Sequence, residues 1–255
     1  MAITYYDGNS YVQHTEADSL KGFLLGSAVS AAIMSPYPYF VRPFEKQLLK
    51  EHSQNHLYKD LFIKAYELSG LKEKGTSIVE AQNAAGLPLE YVLGRQAAYV
   101  PTSNQVWVNT DKISVTGFHE LGHAMNSLMS KSGKLLQKMR KPGYFIAFLM
   151  EYYAIFSRTK PKGAPRNFQD YIEDNCGKIT FLALLPILIE EAMASYKGVK
   201  LAKKVNMDKA LVSNMKKLLS KAWFTYGSRV ALASLAVGAT RMVMDYYTRP
   251  KKVEH

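Results

Sequence analysis

Cysteine is almost missing from this chain. Cys176 is the only one, which excludes an intramolecular disulfide framework and a zinc ribbon. Acidic residues are also few: 21 Asp and Glu stand against 33 Lys and Arg, for a net charge of +12. That balance favours anionic surfaces such as phospholipid head groups or nucleic acid. There is no Cys/His finger and no basic motif interleaved with aromatics, so nucleic acid is not an expected partner. The basic residues instead flank apolar stretches, which directs the expectation to a lipid bilayer. Repeats and low-complexity tracts are absent. Residues 1–8 carry no Lys or Arg, and Glu16 and Asp18 precede the first apolar run, so no cleaved secretory signal is expected. A chain of 255 residues can bury a sizeable core, and the expectation is a single domain over residues 1–255.

Long uncharged runs are present, but only one is long enough to be decisive. Residues 22–41, between Lys21 and Arg42, carry no charge, have small residues inside and aromatics at one end. This fits an N-terminal membrane helix or re-entrant segment, the alternative being a core helix stopped by Pro36 and Pro38. Residues 43–95 read as mainly helical, with Leu48, Leu49, Leu57, Leu61, Phe62, Ala65, Leu68 and Leu71 at helical spacing, punctuated by Gly70, Gly75 and the segment 86–88. Extended pieces are expected only around 97–109, where residues 97–101 and 105–109 flank a Thr-Ser-Asn turn. A helix follows from about Ser114 to Met129. Then come a basic stretch ending at Pro142-Gly143 and, within residues 144–189, two apolar stretches each shorter than the ~20 residues of a span; the expectation is a hydrophobic hairpin insertion, the alternative being core helices of a soluble protein. Residues 224–247 form a last hydrophobic helix, which spans a bilayer only if Arg229 and Arg241 snorkel or face protein. A mean hydropathy of −0.16 argues against a heavily embedded chain.

The chemistry is concentrated at His119-Glu120-Leu121-Gly122-His123. Two histidines four apart share one face of a helix, so two imidazole nitrogens can meet one ion. Glu120 then projects beside the metal, where it can accept a proton from a zinc-activated water attacking a peptide carbonyl. Zinc lowers the pKa of such a water to about 7. Gly122 and Ala124 allow the helix to lie close to a neighbour. Val106, Trp107 and Val108, just upstream, are the candidate strand for pairing with an extended substrate.

A catalytic zinc of this kind needs a third protein ligand. No further histidine follows on the same helix, and the position of a Met-turn enzyme's third histidine falls on Met129. Glu190 and Glu191, at the end of an apolar run, are the best candidates, because buried acids are costly unless paired or metal-bound. Other residues weigh less. His52 and His56 are four apart but lack a following Glu, and with His14 they read as solvated. Tyr152, Tyr153 and Tyr196 are either oxyanion donors or packing residues.

Together HELGHA at 119–124 and E-x-x-A-S at 191–195 resemble the gluzincins. Within them the chain is most similar to the integral-membrane metallopeptidases, the group of the CAAX prenyl proteases and the bacterial heat-shock membrane protease. The resemblance covers roughly residues 95–200 as the catalytic core. It implies Glu191 as third zinc ligand and a hydrophobic insertion between the motifs. Where those families have an aspartate holding a zinc-bound histidine from behind, this chain has Ser195, so that support is weaker or comes from elsewhere. Ser195 and Glu190 are the candidates for it, and Glu190 stays open as a rival ligand.

The expected fold is therefore mainly α, a zincin-like core with a small strand pair and two to four hydrophobic, membrane-associated helices. The expected function is a membrane-bound zinc endopeptidase acting on peptide or protein substrates. Two alternatives remain. One is a soluble or peripheral peptidase, and the other a metalloprotease-like structural subunit of a membrane or virion assembly.

Overall fold

A computed structural model describes residues 3–6, 9–12, 16–51, 58–80, 97–110, 113–157, 159–161 and 163–252. His14, His52, His56, Leu57 and the segment 86–88 lie outside the described residues, as do the side chains of Leu48 and Leu49. The chain is mainly helical. In order it forms β1 (Ile3–Tyr6), β2 (Asn9–Val12), α1 (Glu16–Met34), α2 (Tyr37–Glu51), α3 (Lys59–Ser69), β3 (Ser77–Glu80), β4 (Ala97–Val100), β5 (Gln105–Val108), α4 (Val115–Met129), α5 (Lys131–Phe156), α6 (Phe168–Lys204), α7 (Lys209–Thr248) and β6 (Lys251–Lys252).

Three local expectations change. The uncharged run 22–41 is not one helix. α1 starts earlier, at Glu16, and stops at Met34, because Pro36 has no N–H for the Ala32 carbonyl; Ser35 Oγ donates to that carbonyl instead, at 2.8 Å. Residues 37–41 open α2. The basic stretch ending at Pro142-Gly143 and the apolar stretch after it are not separate pieces: one helix, α5, runs through both. Packing overrides the local signal there: a Cβ on Gly143 would stand 2.3 Å from the Ala183 carbonyl oxygen of α6. The strand pair at 97–108 is joined by β3, which lies in a stretch read as helical.

The single domain expected over 1–255 divides by contact into two compact units. The first comprises residues 1–38, 141–185 and 228–255. It holds α1, the later part of α5, the earlier part of α6, the later part of α7 and the antiparallel sheet β1-β2-β6. Its helices meet at small residues. Gly26 takes the Thr240 hydroxyl on its carbonyl at 3.1 Å, and a Cβ on Gly177 would stand 2.7 Å from the Ser234 carbonyl oxygen. Met150, Ala154, Cys176 and Val237 form a small buried cluster, while Leu24, Phe145, Phe148, Leu182, Leu235 and Met242 are exposed. Arg241, expected to snorkel or face protein, is buried and pairs with Glu173 at 3.2 Å and Asp245 at 2.5 Å. Arg229 is exposed. Among the described residues, two stretches are long and apolar enough to cross a membrane, Glu16–Pro43 and Phe168–Lys204. The C-terminal hydrophobic helix 224–247 is the later part of α7 and is not one of them.

The second unit comprises residues 39–140 and 186–227. Its core is built around Tyr58, Phe62, Val106, Phe118, Leu121, Met215 and Leu218. α3 ends at Gly70, whose φ of +76° supplies the left-handed cap. Its Phe62 ring stands edge-on to Phe118 of α4, with centroids 6.1 Å apart. The sheet order is β3-β5-β4, with β3 parallel and β4 antiparallel to β5.

Candidate metal centre

α4 begins at Ser114, whose side chain accepts from the Thr116 N–H, and buries Val115, Phe118, Leu121 and Ala124 along one stripe. His119 and His123 fall on the same buried side. α6 crosses α4 at two glycines, one from each helix. A Cβ on Gly122 would stand 2.1 Å from the Ala194 carbonyl oxygen, and one on Gly198 would stand 2.7 Å from that of Phe118. Only glycine lets the two backbones approach this closely. The crossing brings the 119–123 turn against the 190–195 turn, all within the second unit.

Three atoms converge there. His119 Nε2 and His123 Nε2 are 3.0 Å apart, His119 Nε2 is 3.1 Å from Glu191 Oε2, and His123 Nε2 is 3.5 Å from the same oxygen. Ligands at zinc bond lengths around a tetrahedral ion stand about 3.3 Å from one another. The triangle therefore fits three protein ligands of a four-coordinate ion, with one position open. Glu120 joins the two histidines in one group of potential ligand atoms within 4.8 Å of one another, and Glu190 and Glu191 join His123 in a second.

The two adjacent acids have separate partners. Glu190 Oε1 is 2.9 Å from His123 Nδ1, the nitrogen turned away from the triangle, and receives Asn126 Nδ2 and Gln137 Nε2 at 2.9 Å each. Behind the other ligand, Ser195 Oγ is 3.1 Å from His119 Nδ1. Each histidine is thus held at Nδ1, which fixes its ring and frees Nε2 for an ion. Arg140 lies 2.9 Å from Glu190 Oε2 and 3.0 Å from Glu191 Oε1. With both imidazoles neutral, as metal ligands must be, three carboxylates and Arg140 would leave a net double negative charge at the centre, which a divalent cation would balance. Burial opposes a charge on His123, but the carboxylates Glu191 and Glu190 outweigh it and hold the imidazole well above its usual pKa of 6.5.

Glu120 Oε2 accepts from the Tyr99 N–H of β4 at 2.7 Å. The substrate-strand expectation for Val106, Trp107 and Val108 is corrected by this arrangement. β5 is the middle strand, paired on both edges, so its backbone has no groups to offer a peptide. The outer strand beside Glu120 is β4. Tyr152 and Tyr153 belong to the first unit, and Tyr196 is 69% exposed. Asn126, Gln137 and Arg140 were not anticipated. Asn126 is one turn beyond His123 on the same face, a signal within reach; Gln137 and Arg140 lie in a stretch that reads as a solvated basic face.

No family model, curated protein or solved structure matches this chain. The site therefore stands on its own geometry.

Proposed function

We propose that this protein is a zinc-dependent endopeptidase acting at a membrane. The observation that carries the reading is the triangle of His119 Nε2, His123 Nε2 and Glu191 Oε2, with edges of 3.0, 3.1 and 3.5 Å. Imidazole and carboxylate donors in this number suit zinc with one open position. When bound, zinc supplies Lewis acidity, lowering the pKa of a water at that position to about 7 and polarising a substrate carbonyl.

The remaining chemistry belongs to the protein. Glu120, steadied at Oε2 by the Tyr99 N–H, takes the proton released as water adds to the scissile carbonyl and returns it to the leaving nitrogen. Ser195 and Glu190 keep the two imidazoles in the tautomer that offers Nε2 to the ion. The α4–α6 crossing at Gly122 and Gly198 holds the ligands from both motifs in register.

The membrane part of the proposal rests on the first unit. Large apolar side chains such as Phe145, Phe148 and Leu182 face outward, while glycine, serine and threonine sit where its helices meet. Water would favour the reverse arrangement; in hydrocarbon, helices associate through small residues and leave large ones to the lipid. Of the most apolar part of Glu16–Pro43 only 6% is buried. The test of the catalytic claim is Glu120→Gln in detergent-purified protein with labelled casein as substrate. It is expected to keep its zinc and to lose at least about a hundredfold in cleavage; an active Glu120→Gln protein contradicts the mechanism.

A further inference from the structure

We propose that Arg140 is a positioning residue that bridges two adjacent carboxylates and leaves Glu191 a single oxygen for the metal. The inference rests on the zinc reading above. Glu190 and Glu191 are both buried and point about 100° apart around α6, so sequence position alone leaves two acids near one ion. Their four oxygens are shared out by the surroundings. The guanidinium of Arg140 takes Glu190 Oε2 with Nη1 at 2.9 Å and Glu191 Oε1 with Nη2 at 3.0 Å. Glu190 Oε1 is taken by His123 Nδ1, Asn126 and Gln137. Glu191 Oε2 is the one oxygen left facing the two Nε2 atoms.

A planar fork is suited to this task. It bridges two separate carboxylates with fixed spacing, which a lysine ammonium, a single point of charge, cannot do. By occupying Glu191 Oε1, Arg140 also keeps Glu191 from binding the ion through both oxygens, and so preserves the open position that hydrolysis requires. The fork is delivered by α5, a helix that provides no ligand. Gly133 seats that helix on α4: a Cβ there would stand 2.8 Å from the Asn126 Cα and carbonyl oxygen. Gln137, one turn before Arg140, also donates to the His123 carbonyl at 2.9 Å. The centre is thus assembled by three helices rather than the two that carry its motifs.

The test uses the full chain in detergent, with Co²⁺ absorption as the probe of coordination and Zn²⁺ competition against a chelator as the probe of affinity. Arg140→Met is expected to bind Zn²⁺ about ten- to a hundredfold more weakly. Its Co²⁺ visible bands should weaken and shift as Glu191 becomes bidentate and coordination rises above four. Arg140→Lys, which keeps the charge and loses the fork, is expected to recover part of the affinity without recovering the band shape. Wild-type affinity and wild-type bands in both variants overturn the proposal. Should Arg140→Met not fold, wild-type bands in Arg140→Lys overturn it alone. If the wild type itself binds neither ion, the zinc reading fails, and with it this one; that result is distinct from metal binding that ignores Arg140.

Discussion

Gly122 lies so close beneath the Ala194 carbonyl that a Cβ on it would stand 2.1 Å from that oxygen. The contact joins the two motifs directly, Gly122 from the first and Ala194 from the second. Gly122→Ala is therefore expected to force α4 and α6 apart, at a cost of about 3 kcal/mol or more. It should loosen zinc along with the fold. Thermal unfolding and zinc content measured together check this; an alanine variant with unchanged stability contradicts the close crossing.

The Ser195 hydroxyl meets His119 Nδ1 at 3.1 Å. Ser195→Ala is expected to weaken zinc binding about tenfold while leaving the overall fold intact. Chelator competition reads the affinity, and an unchanged value shows that the hydroxyl does not orient His119.

The proton on His123 gives the centre a pH dependence of definite sign. In the metal-free protein its pKa is raised above 6.5 by Glu191 and Glu190 against the opposing effect of burial. Its contribution to apo stability is complete below pH 6.5 and is lost as pH rises through the raised value. Zinc must displace that proton, so apparent zinc affinity is expected to climb across the same window and level off above it. Competition titrations at stepped pH check this, and affinity that falls or stays flat from pH 6.5 upward contradicts it.

Legibility followed the range of the interactions. α4 was readable because its information is local: a Ser114 cap, an apolar stripe and two histidines four apart. The β4–β5 pair was readable from a turn between two short apolar runs. β3 was not, because its four residues are set by parallel pairing with a strand far along the chain. Arg140 was hidden for another reason. Lys131, Lys134 and Lys138 of the same stretch are exposed, and only the packing of α5 against its neighbours turns Arg140 toward Glu190 and Glu191. The roles of the adjacent glutamates, open in the sequence, separate only once both nitrogens of His123 are placed.

The outward apolar face of the first unit predicts that carbonate and high salt will leave the protein in the membrane pellet and that detergent will release it. Release by carbonate alone contradicts membrane insertion and returns the apolar helices to the interior of a soluble assembly.

The central claim is most directly tested by zinc content per chain in detergent-purified wild type, Glu191→Ala and Glu190→Ala. The account predicts about one zinc in the wild type, almost none in Glu191→Ala, and a weakened but present zinc in Glu190→Ala. A wild type without zinc, or a Glu191→Ala protein that keeps it while Glu190→Ala loses it, contradicts the account.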